Sequence, residues 1–293
     1  MCRLFGMHTG KEPAHATFWL LSAPESLSQQ SRKEPDGTGV GVFGADGRAI
    51  VDKQPLAAYE DRQFATEARD LESRTFVAHV RYASTGENAL VNTHPFEQDQ
   101  RLLAHNGVLE GLDVLDARLG ELGATSLVRG QTDSERLFAL ITAEARRNGG
   151  DVGAAIVAAL TWIAQSIPVY AANIVLTTAT ELWALRYPET HPLYVLERGA
   201  GGTEGSARLE ARTHRISVHS EATSERPSVI VATQPMDSDP GWRLMGAGEL
   251  LHVGEDLAVH SSAPLPPQPA HPLTLKDLSP HAAKSQQPAA TPS

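Results

Sequence analysis

Cys2 is the single cysteine in 293 residues, and it stands directly behind Met1. A thiolate is a strong nucleophile, but something must take its proton. Once Met1 is removed, Cys2 carries both parts. An α-amino group titrates near pH 8, far below lysine, so a useful share is neutral at physiological pH and can act as a general base. The small side chain at position 2 is expected to permit that removal. Taken alone, a cysteine near a terminus can also be incidental.

Three further stretches carry residue types that could serve such a nucleophile. In HVRYASTG, His79 to Gly86, a strand runs into a small-residue turn. There Arg81 can grip a carboxylate through two parallel hydrogen bonds, and Ser84 adds a short hydroxyl. The structural alternative is a strand arginine paired with a surface acid. In RLLAHNGVLEG, Arg101 to Gly111, the Asn106-Gly107 pair lies between apolar runs. That is a hairpin-turn signal, yet an amide N–H and a glycine N–H can also converge on a developing oxyanion. In QTDSERLFALITAEA, Thr132 and Glu135 have capping-box spacing. Asp133 falls in the first helical turn, where the helix dipole favours a negative charge. The same carboxylate could instead face outward and bind an ammonium group.

Other patterns exclude more than they suggest. The run DGTGVGVFG, Asp36 to Gly44, lacks P-loop spacing and no lysine follows it. It is expected to be a strand in close backbone contact with its neighbours. His79, His94 and His105 match no metal-ligand spacing, there is no second cysteine, and no metal or cofactor is expected. The net charge is −10 with neutral histidines, which speaks against a nucleic-acid partner. The start lacks an apolar signal region, and the most apolar stretch, Gly153 to Leu176, is interrupted by Gln165, Ser166, Pro168 and Asn173. A buried helix and then a buried strand is expected there rather than a membrane span. These features together suggest a cytoplasmic protein with no membrane contact.

The elements that must position these residues follow from the remaining pattern. CRLFGMH, GTGVGVFGADGRAIVDKQ and TFVAHVRYAS have strand text, with Asp46-Gly47 as a hairpin turn. Helical text covers ATFWLLSAPESLSQQS, Phe64 to Leu71, LDVLDARLGELG, TDSERLFALITAEARR and Val152 to Gln165. Strands then return in ANIVLTTATELWALRYP, PLYVLERG, ARLEARTHRISVHS, SVIVATQP and ELLHVGEDLAVHS. Strands, helices and strands again are not a βαβα rhythm. The expected fold is one α+β domain, residues 1–260 with Met1 removed, built from two antiparallel sheets with helices outside. From Ser261 the chain holds eight of its 19 prolines and few large apolar residues. Residues 261–293 are expected to be a disordered tail.

A thiol at the N-terminus, an arginine with a hydroxyl neighbour, an Asn-Gly pair and an anionic helix start together suit an amide hydrolase for glutamine. MCRLFG, HVRYASTG, THPF (Thr93 to Phe96), AHNG, TDSE and VIVATQPMDSDPGWRLMGAGELLHV also resemble a known family. This is the class II glutamine amidotransferase domain of the N-terminal-nucleophile (Ntn) hydrolase superfamily, and the likeness spans about residues 2–255. THPF before AHNG, with ATQP and a downstream tryptophan, is most similar to the stand-alone YafJ-like branch. The amidohydrolase of ergothioneine synthesis is a second relative.

The resemblance implies a four-layer αββα sandwich. It also implies Cys2 as nucleophile with its own amino group as base, and Asn106 and Gly107 as oxyanion donors. Arg81, assisted by Ser84, would bind the substrate carboxylate, and Asp133 its α-amino group. The substrate would be glutamine or a γ-glutamyl compound, and glutamate would be released with ammonia or an amine, the ammonia passing to a separate synthase or, in a simple hydrolase, leaving free. The rival reading is a catalytically idle binding or regulatory module. Thr38 stands where relatives often have tryptophan, and Thr85 where sugar-amidating enzymes have histidine. Both departures bear on the substrate rather than on the reaction class.

Overall fold

The computed structural model describes residues 2–33, 36–82, 87–199, 210–212, 217–219 and 226–287. Thirteen strands build the two main sheets. In chain order they are β1 (Arg3–His8), β2 (Gly37–Phe43), β3 (Ala49–Gln54), β4 (Thr75–Arg81), β5 (Phe96–Gln98), β6 (Arg101–Leu109), β7 (Val169–Thr177), β8 (Leu182–Leu185), β9 (Tyr194–Arg198), β10 (Ser228–Ala232), β11 (Arg243–Leu244), β12 (Leu250–Val253) and β13 (Val259–Ser262). The first sheet runs β11-β9-β10-β1-β4-β2-β3 and the second β13-β12-β8-β7-β6-β5. Every neighbouring pair in both sheets is antiparallel.

Burial sorts the side chains into layers. Leu4, Val77, Leu102, Ala104, Val175 and Val231 meet between the sheets. On the outer face of the first sheet, Phe5, Met7, Val40 and Val80 pack against Trp19, Leu27 and Phe64. Phe64 belongs to α1 (Arg62–Asp70), capped by the Asp61 carboxylate, which accepts from the N–H groups of Gln63 and Phe64. On the outer face of the second sheet, Leu103, Ile174 and Leu176 pack against three helices. These are α2 (Leu112–Glu121), α3 (Asp133–Arg147) and α4 (Val152–Ser166). The result is the four-layer αββα sandwich. The apolar stretch from residue 153 divides into α4 and β7. Among the described residues no helix is long and apolar enough to cross a membrane.

The glycine run of β2 marks a close approach. A Cβ on Gly39 would lie 2.2 Å from the His94 carbonyl oxygen, and one on Gly41 would lie 2.8 Å from Leu102 Cδ1. Only glycine lets the turn carrying His94 and Pro95 seat against this strand.

The tail departs from the expectation of disorder. Residues 261–287 are laid against the sandwich, while 288–293 lie outside the described residues. β13 extends the second sheet to Ser262. Further on, the Val169 N–H donates to the His271 carbonyl, and Leu273 N–H donates back to Val169. A final helix, α5 (Pro280–Gln286), is capped by Ser279. Leu278 and Ala282 are buried against Val108, Tyr170 and Ala171. The proline content suits an extended strap that needs few N–H partners, and a few well-spaced apolar side chains fix it.

Candidate active site

Cys2 leads into β1, the middle strand of the seven-stranded sheet, and is 7% exposed. Its Sγ lies 3.2 Å from the Tyr82 nitrogen, which donates to it, and 3.2 Å from the Tyr82 carbonyl. Tyr82 directly follows β4, so the pairing of β1 with β4 carries Arg81 to the same end of the sheet. Arg81 is buried, and its Nη1 donates to the Glu87 carbonyl at 3.3 Å. Burial pulls the Arg81 pKa down from the usual arginine range, and the charges of Cys2, Asp36 and Asp133 oppose that shift. These four residues share one electrostatic neighbourhood.

The second sheet supplies the opposite wall. Asn106 is fully buried in β6, and its Nδ2 donates to the Cys2 carbonyl at 3.1 Å. An amide nitrogen carries two hydrogens, so one more N–H remains for another acceptor. Asn106 and Gly107 lie inside the strand, paired with Asn173 and Ala172 of β7, and not in a hairpin turn. A Cβ on Gly107 would fall 1.8 Å from the Ala171 carbonyl oxygen. The local turn signal is overridden by a ladder in which glycine is required for close strand approach.

Asp133 begins α3 and is almost wholly buried. The register of β6 and β7 shifts between Val108 and Leu109. Such an irregularity frees backbone groups from the ladder. The Leu109 N–H donates to Asp133 Oδ2 at 2.9 Å, and the Ser134 N–H donates to Oδ1 at 2.9 Å. Ser134 Oγ in turn lies 2.9 Å from His105 Nδ1. Thr132 caps the helix as its spacing suggests, accepting from the Glu135 N–H. The Glu135 carboxylate does not complete the capping box, because it takes the N–H groups of Arg129 and Gly130 instead.

Of the six residues singled out in the sequence, Cys2, Arg81, Asn106, Gly107 and Asp133 therefore converge where β1, β4, β6 and the start of α3 meet. Ser84 lies outside the described residues. Asp36, Asn92, Gln131 and Ser134 also belong to this neighbourhood, and motif reading did not single them out. Asn92 directly precedes THPF, and Gln131 and Ser134 flank Thr132 and Asp133, so their only sequence signal is proximity to the motifs. The buried His79 and His94 rings stand 4.1 Å apart. Among the described residues no group of three or more His, Cys, Asp or Glu is placed to hold a metal ion.

The family model of the class II glutamine amidotransferases matches residues 1–272. The chain belongs to that family. It is 28% identical over 270 residues to YafJ of Escherichia coli strain K12, named there as a candidate glutamine amidotransferase; the match covers 87% of this chain and 99% of that one. It is 29% identical over 125 residues to the glutamine–fructose-6-phosphate aminotransferase of the same strain, covering 43% of this chain and 20% of that enzyme. The fold is shared with glutamine phosphoribosylpyrophosphate amidotransferase from B. subtilis. There the TM-score is 0.61 at 21% identity, over 89% of this chain and 49% of that one. In this class II amidotransferase, strand pairing joins Cys2 to Arg81, the packing of the two sheets adds Asn106 and Gly107, and the start of α3 adds Asp133.

Proposed function

We propose that this class II amidotransferase cleaves the γ-amide of glutamine or of a γ-glutamyl compound through a thioester on Cys2. The observation that carries this is the hydrogen bond from Asn106 Nδ2 to the Cys2 carbonyl at 3.1 Å, which holds the thiol-bearing residue against the strand of the Asn-Gly pair. With Met1 removed, the α-amine of Cys2 takes the thiol proton as sulfur attacks the amide carbon. The negative charge that develops on the amide oxygen falls to the second N–H of Asn106 and to the Gly107 N–H. The C–N bond then breaks as the amine leaves with the proton from the Cys2 ammonium. A water, deprotonated by the same amine, attacks the thioester, and glutamate departs as the thiol reforms. Arg81 holds the α-carboxylate, and Asp133 holds the α-ammonium.

Mass spectrometry of the protein after treatment with a diazoketone analogue of glutamine tests the reading. Met1 should be missing and one adduct should sit on Cys2. Protein lacking Met1 that takes no adduct would favour the idle module. A panel of glutamine and γ-glutamyl amides assayed without other proteins separates two fates for the nitrogen. Brisk turnover of one panel member marks a hydrolase, whereas uniformly weak glutaminase activity marks ammonia delivery to a separate synthase.

A further inference from the structure

Between Arg81 and Asp133 runs a closed set of hydrogen bonds built on two side-chain amides. Asn92 is 1% exposed and closes the short turn Leu90–Asn92. Its Nδ2 donates to the Glu87 carbonyl at 3.1 Å and to Gln131 Oε1 at 3.3 Å. Its Oδ1 accepts from the Gln131 N–H at 2.9 Å. Gln131 Oε1 accepts in addition from the Glu87 N–H at 3.1 Å. The Glu87 carbonyl is the same one that receives Arg81 Nη1. At the other end, Gln131 lies two residues before Asp133, whose carboxylate is fixed by the Leu109 and Ser134 N–H groups. Gly130 shows how tight the arrangement is, since a Cβ there would stand 2.5 Å from Asn92 Oδ1.

We propose that Asn92 and Gln131 form an amide clamp that sets the spacing between Arg81 and Asp133, and so selects ligands carrying both an α-carboxylate and an α-ammonium. The inference rests on the roles assigned above to Arg81 and Asp133. An amide is suited to the task because it donates and accepts at once, and Asn92 uses both functions. Neither clamp residue touches the reacting atoms. Both are positioning residues, and a displacement of about 1 Å in groups that orient a substrate can cost on the order of 10²-fold.

The test uses the full chain with Met1 removed. Asn92→Ala should raise KM for glutamine about ten-fold or more while kcat changes far less. Asn92→Asp keeps the acceptor for Gln131 but sets a carboxylate oxygen against the Glu87 carbonyl and Gln131 Oε1, so its KM should rise at least as far as that of Asn92→Ala. Gln131 is exposed, so Gln131→Ala is a second variant that leaves packing intact, and it should reproduce the KM rise. The double variant should be no worse than Asn92→Ala, as expected for two halves of one device. Labelling of Cys2 by the diazoketone analogue should slow in step with KM. Alkylation by iodoacetamide, which carries neither α-group, should keep its wild-type rate. Unchanged KM in both single variants, additive effects, or an equal fall in iodoacetamide reactivity would each overturn the clamp. A wild-type protein that neither turns over amide nor takes the analogue would overturn the reading of the site, and the clamp with it.

Discussion

The two ends of the chain both meet β6, one through a polar contact and the other through an apolar one. At the N-terminal end, Cys2 is held by polar contacts: its carbonyl by Asn106, its sulfur by the Tyr82 backbone. At the C-terminal end, Leu278 and Ala282 are held by apolar contact with Val108, Tyr170 and Ala171. Val108 pairs with Ala171, and Asn106 with Asn173, so period-two alternation puts these residues on one face of the second sheet. The β6 residues that meet the proposed nucleophile and the strap, Asn106 and Val108, are thus neighbours on that face. A directional hydrogen-bonded end suits chemistry that needs fixed atoms, whereas an apolar end contributes stability without dictating atomic positions. If that division is right, changes at the first end should abolish activity with little unfolding, and changes at the second should do the reverse.

The largest effect is expected at Cys2. Cys2→Ala, or a chain that keeps any residue before Cys2, should lose about 10⁴-fold or more of amide turnover. Thermal unfolding should move little. Measurable turnover in a chain that keeps Met1 would break the link between the free amine and catalysis. Next comes Asn106→Ala, expected to lower kcat by about 10²–10³-fold through loss of an oxyanion donor. A change confined to KM would instead make Asn106 a binding group. This variant also removes the bond to the Cys2 carbonyl, so an unchanged rate of Cys2 alkylation by iodoacetamide is the control that the thiol has stayed in place.

Legibility in the sequence differs between the ends for a physical reason. Cys2, Arg81, Asn106 and Asp133 each stand in a short motif whose residue types already state a chemistry, and the packing of the two sheets and of α3 had only to bring them together. The helices and strands that carry them have clear periodicity, which is why the two sheets and outer helices could be anticipated. Asn106-Gly107 carried a misleading turn signal, because nothing local reveals that the Ala171 carbonyl will press against residue 107. The strap was misread from its prolines. Its burial depends on a surface formed by residues 108, 170 and 171, more than a hundred positions earlier, and composition within residues 261–287 holds no trace of that surface. Asn92 and Gln131 were missed for the same reason, since their meaning lies in a reciprocal contact 39 residues apart.

The strap side of the comparison is sharpened by Leu278→Ala. Leu278 is 6% exposed, and truncation of such a side chain at the edge of a core should cost about 2 kcal/mol. Urea unfolding should report the loss as a lower midpoint. The kcat of the remaining folded protein should be unchanged. A fall in kcat at concentrations where the protein is folded would mean that the strap also shapes the site, and the division between the two ends would fail.

The smallest effect is expected at His191, where the strap reaches the loop beside the second sheet. Its Nε2 lies 2.8 Å from Gln286 Oε1 in the last turn of α5, and its carbonyl accepts from Asn173 Nδ2 at 3.2 Å. Burial lowers the His191 pKa to about 4; the hydrogen bond with Gln286 opposes the shift, and His105 and Arg3 add to it. The folded state therefore favours the neutral ring, while the unfolded chain protonates it near pH 6.5. Between those values the unfolded state binds more protons, so stability is present above pH 6.5 and falls as the pH drops towards 4. The slope from one such proton is about 1.4 kcal/mol per pH unit. His8, His79, His94 and His105 are also lowered by burial, so the wild-type slope contains several protons. His191→Gln keeps a donor for Gln286 and removes one titrating group. Its urea midpoint should depend on pH less steeply than wild type by one proton between pH 6 and 5. Equal slopes would mean that His191 meets solvent readily, and that the strap is not closed over it.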